Sequence, residues 1–116
     1  MPVITIKCTR EVFNRIDDDL LTNSIKKNLR KKVSKIKELA IDEKMVSVFF
    51  QIDETSGIED FVVVEVLLTD KPERTLEVRN NVAEVVCSLV KEVFLRNPVE
   101  VFIFPFPMSN GFASKA

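Results

Sequence analysis

Phe61-Val62-Val63-Val64-Glu65-Val66-Leu67-Leu68-Thr69 is a strand with apolar side chains on both parities. Successive side chains of a strand point to opposite faces. Val62, Val64, Val66 and Leu68 therefore line one face, and Phe61, Val63 and Leu67 the other. A strand that is apolar on both faces belongs in a sheet covered on both faces. The first strand, Pro2 to Cys8, and the last, Val99 to about Phe104, share this habit.

The segments between the strands say what covers one face. From about Ile16 to Leu39, Leu21, Ile25, Leu29, Val33 and Ile36 recur at helical spacing. Asp17, Asp18 and Asp19 near the start, and lysines toward the end, suit the helix dipole. A second helix is expected from about Thr75 to Arg96, with Val82, Val86, Leu89, Val90 and Val93 inward, stopped by Asn97-Pro98. Met45 to Ile52 reads as a further strand, and Asp53 to Gly57 as a polar turn. The tail from Pro105 to Ala116 is expected to be irregular. The order is βαβ-βαβ, an architectural repeat with little sequence identity between its halves. Right-handed crossovers make each half a parallel strand pair with its helix on one face. The expected class is α+β: two βαβ units in a four-stranded mixed sheet, with two helices on one face. The opposite apolar face then needs a cover. In so short a chain that cover is further copies of itself, so a homo-oligomer with sheets packed inward is expected.

Composition narrows the chemistry. The 116 residues, 46% hydrophobic and 30% charged, suit a single globular domain spanning residues 1–116. A net charge of −1 creates no general attraction for nucleic acid or an acidic membrane. With 2 Gly there is no Gly-rich phosphate loop. With no His there is no Ser-His-Asp or Cys-His nucleophile, no histidine base and little scope for zinc. No metal and no cofactor is expected. Acid–base work falls to carboxylates, Lys, Cys or the amino terminus. Cys8 and Cys87 lie in apolar runs and read as two thiols in a reducing cytosol, with a single disulfide as the other reading. Met1 to Lys7 does not have the pattern of a signal peptide, and no apolar run approaches the ~20 residues of a membrane span, so a cytoplasmic location is expected.

Met1-Pro2 leading directly into a strand, two βαβ units and this length together resemble the tautomerase superfamily, of the macrophage migration inhibitory factor and 5-carboxymethyl-2-hydroxymuconate isomerase kind. Pro72-Glu73-Arg74-Thr75-Leu76-Glu77-Val78-Arg79 is similar to the family's arginine-containing helix start. Val64-Glu65-Val66-Leu67 and Ser109-Asn110-Gly111-Phe112 are similar to an uncharacterised bacterial branch of the same fold. The resemblance implies the tautomerase fold, assembled as a trimer. It also implies keto–enol chemistry on a small carboxylate-bearing or enol substrate, with the proline amine exposed by loss of Met1 as general base. With Met1 attached, that nitrogen is an amide and has no lone pair to offer.

On this resemblance Pro2 is the catalytic base and Arg74 the clamp on the substrate carboxylate. Lys71 is a helper, and Arg10 sits in the pseudo-equivalent place of the first half. The family's second-strand cation is replaced here by Ser47. Its last-strand tyrosine and asparagine are replaced by Phe102 and Phe104, so the pocket is more apolar. Phe102, Phe104 and Phe106 share a face and read first as interface or core packing, second as pocket wall. Glu65, isolated among Val and Leu, calls for a cross-strand partner, and Lys7 is the nearest in reach; the other reading is a carboxylic acid of raised pKa beside the pocket. The lysines from Lys26 to Lys37 read as a solvated helix face before they read as a phosphate footprint. Two functions stay open: a tautomerase or isomerase, and a non-enzymatic oligomeric protein that holds a ligand or partner in the same pocket.

Overall fold

The computed structural model describes residues 2–16, 19–54 and 60–116. β1 (Val3–Thr9) leads into a short α1 (Arg10–Asn14) and then α2 (Asp19–Ser34). β2 (Ser47–Asp53), β3 (Val62–Thr69), α3 (Leu76–Val93) and β4 (Val99–Phe106) follow. The sheet order is β2-β1-β3-β4. β1 pairs parallel with β2, and β3 parallel with β4. The two halves join through antiparallel pairing of β1 and β3. This is the expected mixed sheet with an α+β layering.

The helices cover one face. Ile4, Ile6 and Cys8 of β1 and Val62, Val64, Val66 and Leu68 of β3 are buried there. Ile25, Leu29 and Val33 of α2 and Val82, Val86 and Val90 of α3 close over them. Side chains of the other parity are left open. Phe49, Leu67, Phe102 and Phe104 are exposed on that second face.

The first helix differs from expectation. Periodicity predicts one helix over Ile16–Leu39, whereas the chain forms α1, then α2, then a 3₁₀ turn at Lys37–Leu39. The Thr9 hydroxyl accepts from Val12 N at 3.2 Å and starts α1 directly off the strand. α2 stops at Ser34, yet Ile36 and Leu39 stay buried because the turn folds them onto the same core. Leu21, expected on the inner stripe, is exposed. Ala40 adopts a left-handed conformation (φ 52) that ends the 3₁₀ turn. The expectations for Asp17, Asp18 and the turn at Thr55–Gly57 lie outside the described residues. β4 runs on through Pro105 and Phe106, longer than its sequence reading.

Candidate functional site

The antiparallel register places Val3 opposite Leu67, and the parallel register places Thr69 opposite Phe106. The start of β1 therefore meets the ends of β3 and β4 at one end of the sheet. A cavity of about 630 Å³ opens there. Val3, Leu67 and Phe106 give it apolar walls, and Thr69 and Lys71 are its polar lining from β3 and the following loop. Met108 and residues 111–114 fold back to form its far side. Gly111 makes that return with φ 119, a conformation that favours glycine.

Pro2 stands one residue ahead of this lining. It is buried, and its carbonyl accepts from Ser47 N at 3.1 Å. Val3 lines the cavity and Pro2 does not. The state of Met1 lies outside the described residues.

Arg74 has a different occupation from the open clamp expected of it. Only 2% of the residue is exposed. Its Nη1 donates to the Thr69 carbonyl at 2.8 Å and to the Thr69 hydroxyl, and its Nη2 donates to the Leu39 carbonyl at 3.0 Å. Nε is buried without a partner among the described residues. Burial lowers the Arg74 pKa from its ordinary value, and the neighbouring Glu73 carboxylate opposes that shift. The guanidinium thus ties the end of β3 to the turn between α2 and β2. It reaches the cavity only through Thr69.

The other expected residues are spread over the sheet. Lys71 is exposed and lines the cavity. Arg10 lies at the opposite end of β1, where Nη2 donates to Glu54 Oε1 at 2.7 Å and Nε to the same oxygen at 3.2 Å. The length of β1 separates it from Pro2 within one chain. Phe104 lines a shallower hollow of about 320 Å³ with Val3, Thr5, Glu65 and Leu67 on the open face. Phe102 is paired in register with Glu65, further along that face. Phe106, not Phe102 or Phe104, forms the wall of the main cavity. Ser47 faces a third hollow of about 500 Å³ at the β2 edge, beside Arg30 and Lys44.

Two residue-level expectations about charge and thiols are met. Lys7 pairs with Glu65 across the strands, and both cysteines are free, Cys8 buried and Cys87 half-buried. Burial pushes the Cys8 thiol up to about 11, with Arg10 opposing. Sequence reasoning missed Thr69 and the returning tail. The signal for Thr69 was a hydroxyl residue closing the strand five positions before an arginine; in the tail it was the Ser109–Phe112 stretch already similar to the bacterial branch, whose place at the cavity depends on where Phe106 ends the sheet. Among the described residues no helix is long and apolar enough to cross a membrane.

No protein-family model and no curated protein matches this sequence. Solved structures match it over nearly its whole length. N1, a member of the cis-3-chloroacrylic acid dehalogenase family, superposes with a TM-score of 0.74 at 16% identity, over 96% of this chain and 79% of its own. A fused 4-OT symmetric trimer gives 0.69 at 13% identity, over 92% of this chain and 87% of its own. A domain of unknown function (DUF1904) from Sebaldella termitidis gives 0.62 at 17% identity, over 97% of this chain and 95% of its own. The chain has the tautomerase-superfamily fold.

Proposed function

We propose that this protein is a small-molecule keto–enol tautomerase or isomerase, acting as a homotrimer with the Pro2 amine as its base. The observation that carries the reading is the cavity at the amino-terminal end of β1, apolar on its walls and bordered by Lys71 and Thr69. Removal of Met1 frees a secondary amine beside it. Apolar surroundings and a nearby cation both lower the pKa of such an amine toward neutrality. The amine takes the proton from an enol hydroxyl, and the oxygen's electron pair becomes the carbonyl π bond. The displaced C=C pair takes the same proton back at carbon, which returns the amine to its neutral form. Lys71 holds the substrate carboxylate, and Arg74 acts from behind Thr69 and not as the clamp itself. Phe102, Phe104 and Arg10 join the site only as side chains of neighbouring copies. The exposed apolar face supports such an assembly, as does the similarity to a fused 4-OT trimer.

The test is the ketonisation of phenylpyruvate enol, followed by absorbance, on protein shown by mass spectrometry to lack Met1. Pro2→Ala is expected to lower the rate by about 10²–10⁴-fold, the usual contribution of a positioned base. Equal rates in both proteins would end the base role.

The second reading is a non-enzymatic oligomer that holds a ligand in this cavity. It is favoured by the burial of Pro2 and its absence from the lining. Retention of Met1 in protein from the native host would select it.

A further inference from the structure

Arg74 is a buried cation whose polar contacts are two main-chain carbonyls and one hydroxyl. The ion pairs among the described residues join Lys7 to Glu65, Arg10 to Glu54 and Arg15 to Glu11, and none includes Arg74. An arginine stays protonated in proteins, so the interior here holds a positive charge bound directly by dipoles, with the Glu73 carboxylate acting on it without an ion pair. Thr69, which Arg74 holds, lines the cavity at the end of β3.

Thr69 is the connection between that charge and the cavity. Its oxygen accepts from Arg74 Nη1, so its own hydrogen has to point elsewhere. Among the described residues no acceptor takes that hydrogen. A hydroxyl whose oxygen is held by a cation is a stronger donor than a free one, because hydrogen bonds in a chain polarise one another. The Thr69 carbonyl is bound by the same nitrogen at 2.8 Å, which fixes the backbone as well as the side chain.

We infer that the Thr69 hydroxyl is a binding donor for an anionic oxygen in the cavity, with Arg74 as the positioning residue that orients and polarises it. The ligand class is a small organic carboxylate or enolate, held between Thr69 and Lys71. This rests on the proposed function for the location of the site, but it does not depend on Pro2 being a base.

The experiment measures binding of phenylacetate and of its neutral analogue phenylacetamide by calorimetry, beside turnover of phenylpyruvate enol. Thr69→Val removes the hydroxyl at nearly constant shape and is expected to weaken phenylacetate binding about ten- to a hundredfold, the range of a hydrogen bond to a charged group. Thr69→Ser is expected to restore it. Phenylacetamide is expected to bind wild type and Thr69→Val within about twofold, which separates a lost donor from a collapsed cavity. Arg74→Lys keeps the charge but loses the forked geometry, and is expected to weaken phenylacetate more than phenylacetamide. Phenylacetate binding that is unchanged in Thr69→Val overturns the inference, and so does a wild type that binds no carboxylate. Wild-type binding without turnover, with Thr69→Val still impaired, supports the inference while the enzymatic reading fails.

Discussion

Lys7 and Glu65 form a diagonal ion pair on the sheet face that the helices leave uncovered. In register Glu65 stands opposite Thr5, and Lys7 opposite Val63, so each charge leans one step along its strand to meet the other. Phe102 lies beside Glu65 on β4. In the isolated chain the two side chains are 30% and 36% exposed, which makes this a partly solvated pair set among apolar neighbours.

Inward packing of this face in the proposed trimer would bury that pair and change its energetics. An exposed pair contributes about 0–1 kcal/mol. A buried pair that loses one partner costs about 3–5 kcal/mol, because the remaining charge is stranded. Lys7→Met is therefore expected to destabilise the protein by about 3–5 kcal/mol, with the loss depending on protein concentration. Lys7→Met combined with Glu65→Leu is expected to recover most of it. Denaturant unfolding at two concentrations, alongside sedimentation, reads both effects. A loss below about 1 kcal/mol would leave the pair in solvent and count against inward-packed sheets.

Arg74→Met is expected to destabilise the fold by about 2–4 kcal/mol. The change removes donors from the Thr69 and Leu39 carbonyls, and a buried acceptor left unpaired costs about 1–3 kcal/mol. Urea unfolding measures it. A change within about 0.5 kcal/mol, the range of ordinary surface substitutions, would show that Arg74 does not brace the two segments.

Cys8 makes stability fall at alkaline pH. Its folded pKa of about 11 stands above the ordinary thiol value of 9.0 because burial disfavours the thiolate. The unfolded chain therefore releases this proton first. The stabilisation is fully present below pH 9 and is lost as pH rises toward about 11. The expected loss is on the order of 2 kcal/mol across that window. Comparing wild type with Cys8→Ala at pH 8 and pH 10.5 isolates the effect from the lysines. Parallel pH profiles in the two proteins would contradict it.

Ala40 occupies a left-handed conformation with φ 52. That conformation costs a non-glycine residue roughly 1–2 kcal/mol. Glycine removes the strain but adds about 0.4–1 kcal/mol of unfolded-state entropy. Ala40→Gly is expected to stabilise by about 0.5–1 kcal/mol, visible as a rise in Tm. A fall in Tm would mean that the Ala40 methyl group contributes packing that outweighs the strain.

Apolar parity made the sheet legible. Two-sided strands such as Phe61–Thr69 require a covered sheet, and the helical stripes Ile25–Leu29–Val33 and Val82–Val86–Val90 supply one cover. The broken helix was not legible. Ile16, Ile36 and Leu39 are buried like helical residues although the chain is not α-helical at those positions, and periodicity reports burial rather than backbone path. Within the site, Lys71 was legible only through the family resemblance, as a cation just ahead of the arginine-containing helix start. Arg74 was legible by position but not by orientation. Whether a guanidinium points outward or back at its own carbonyls is settled by where Leu39 ends its turn, thirty-five residues away in sequence.

β1 is an interior strand, bonded to β2 on one side and β3 on the other. The start of β1 therefore lies inside the sheet and not at a loose edge. A purification tag fused ahead of Pro2 would extend from the end of the sheet, between the start of β2 and the end of β3, next to the hollow that Val3 lines. Leftover vector residues at that end would plug the opening, whereas a tag placed after Ala116 would leave the amino end unextended.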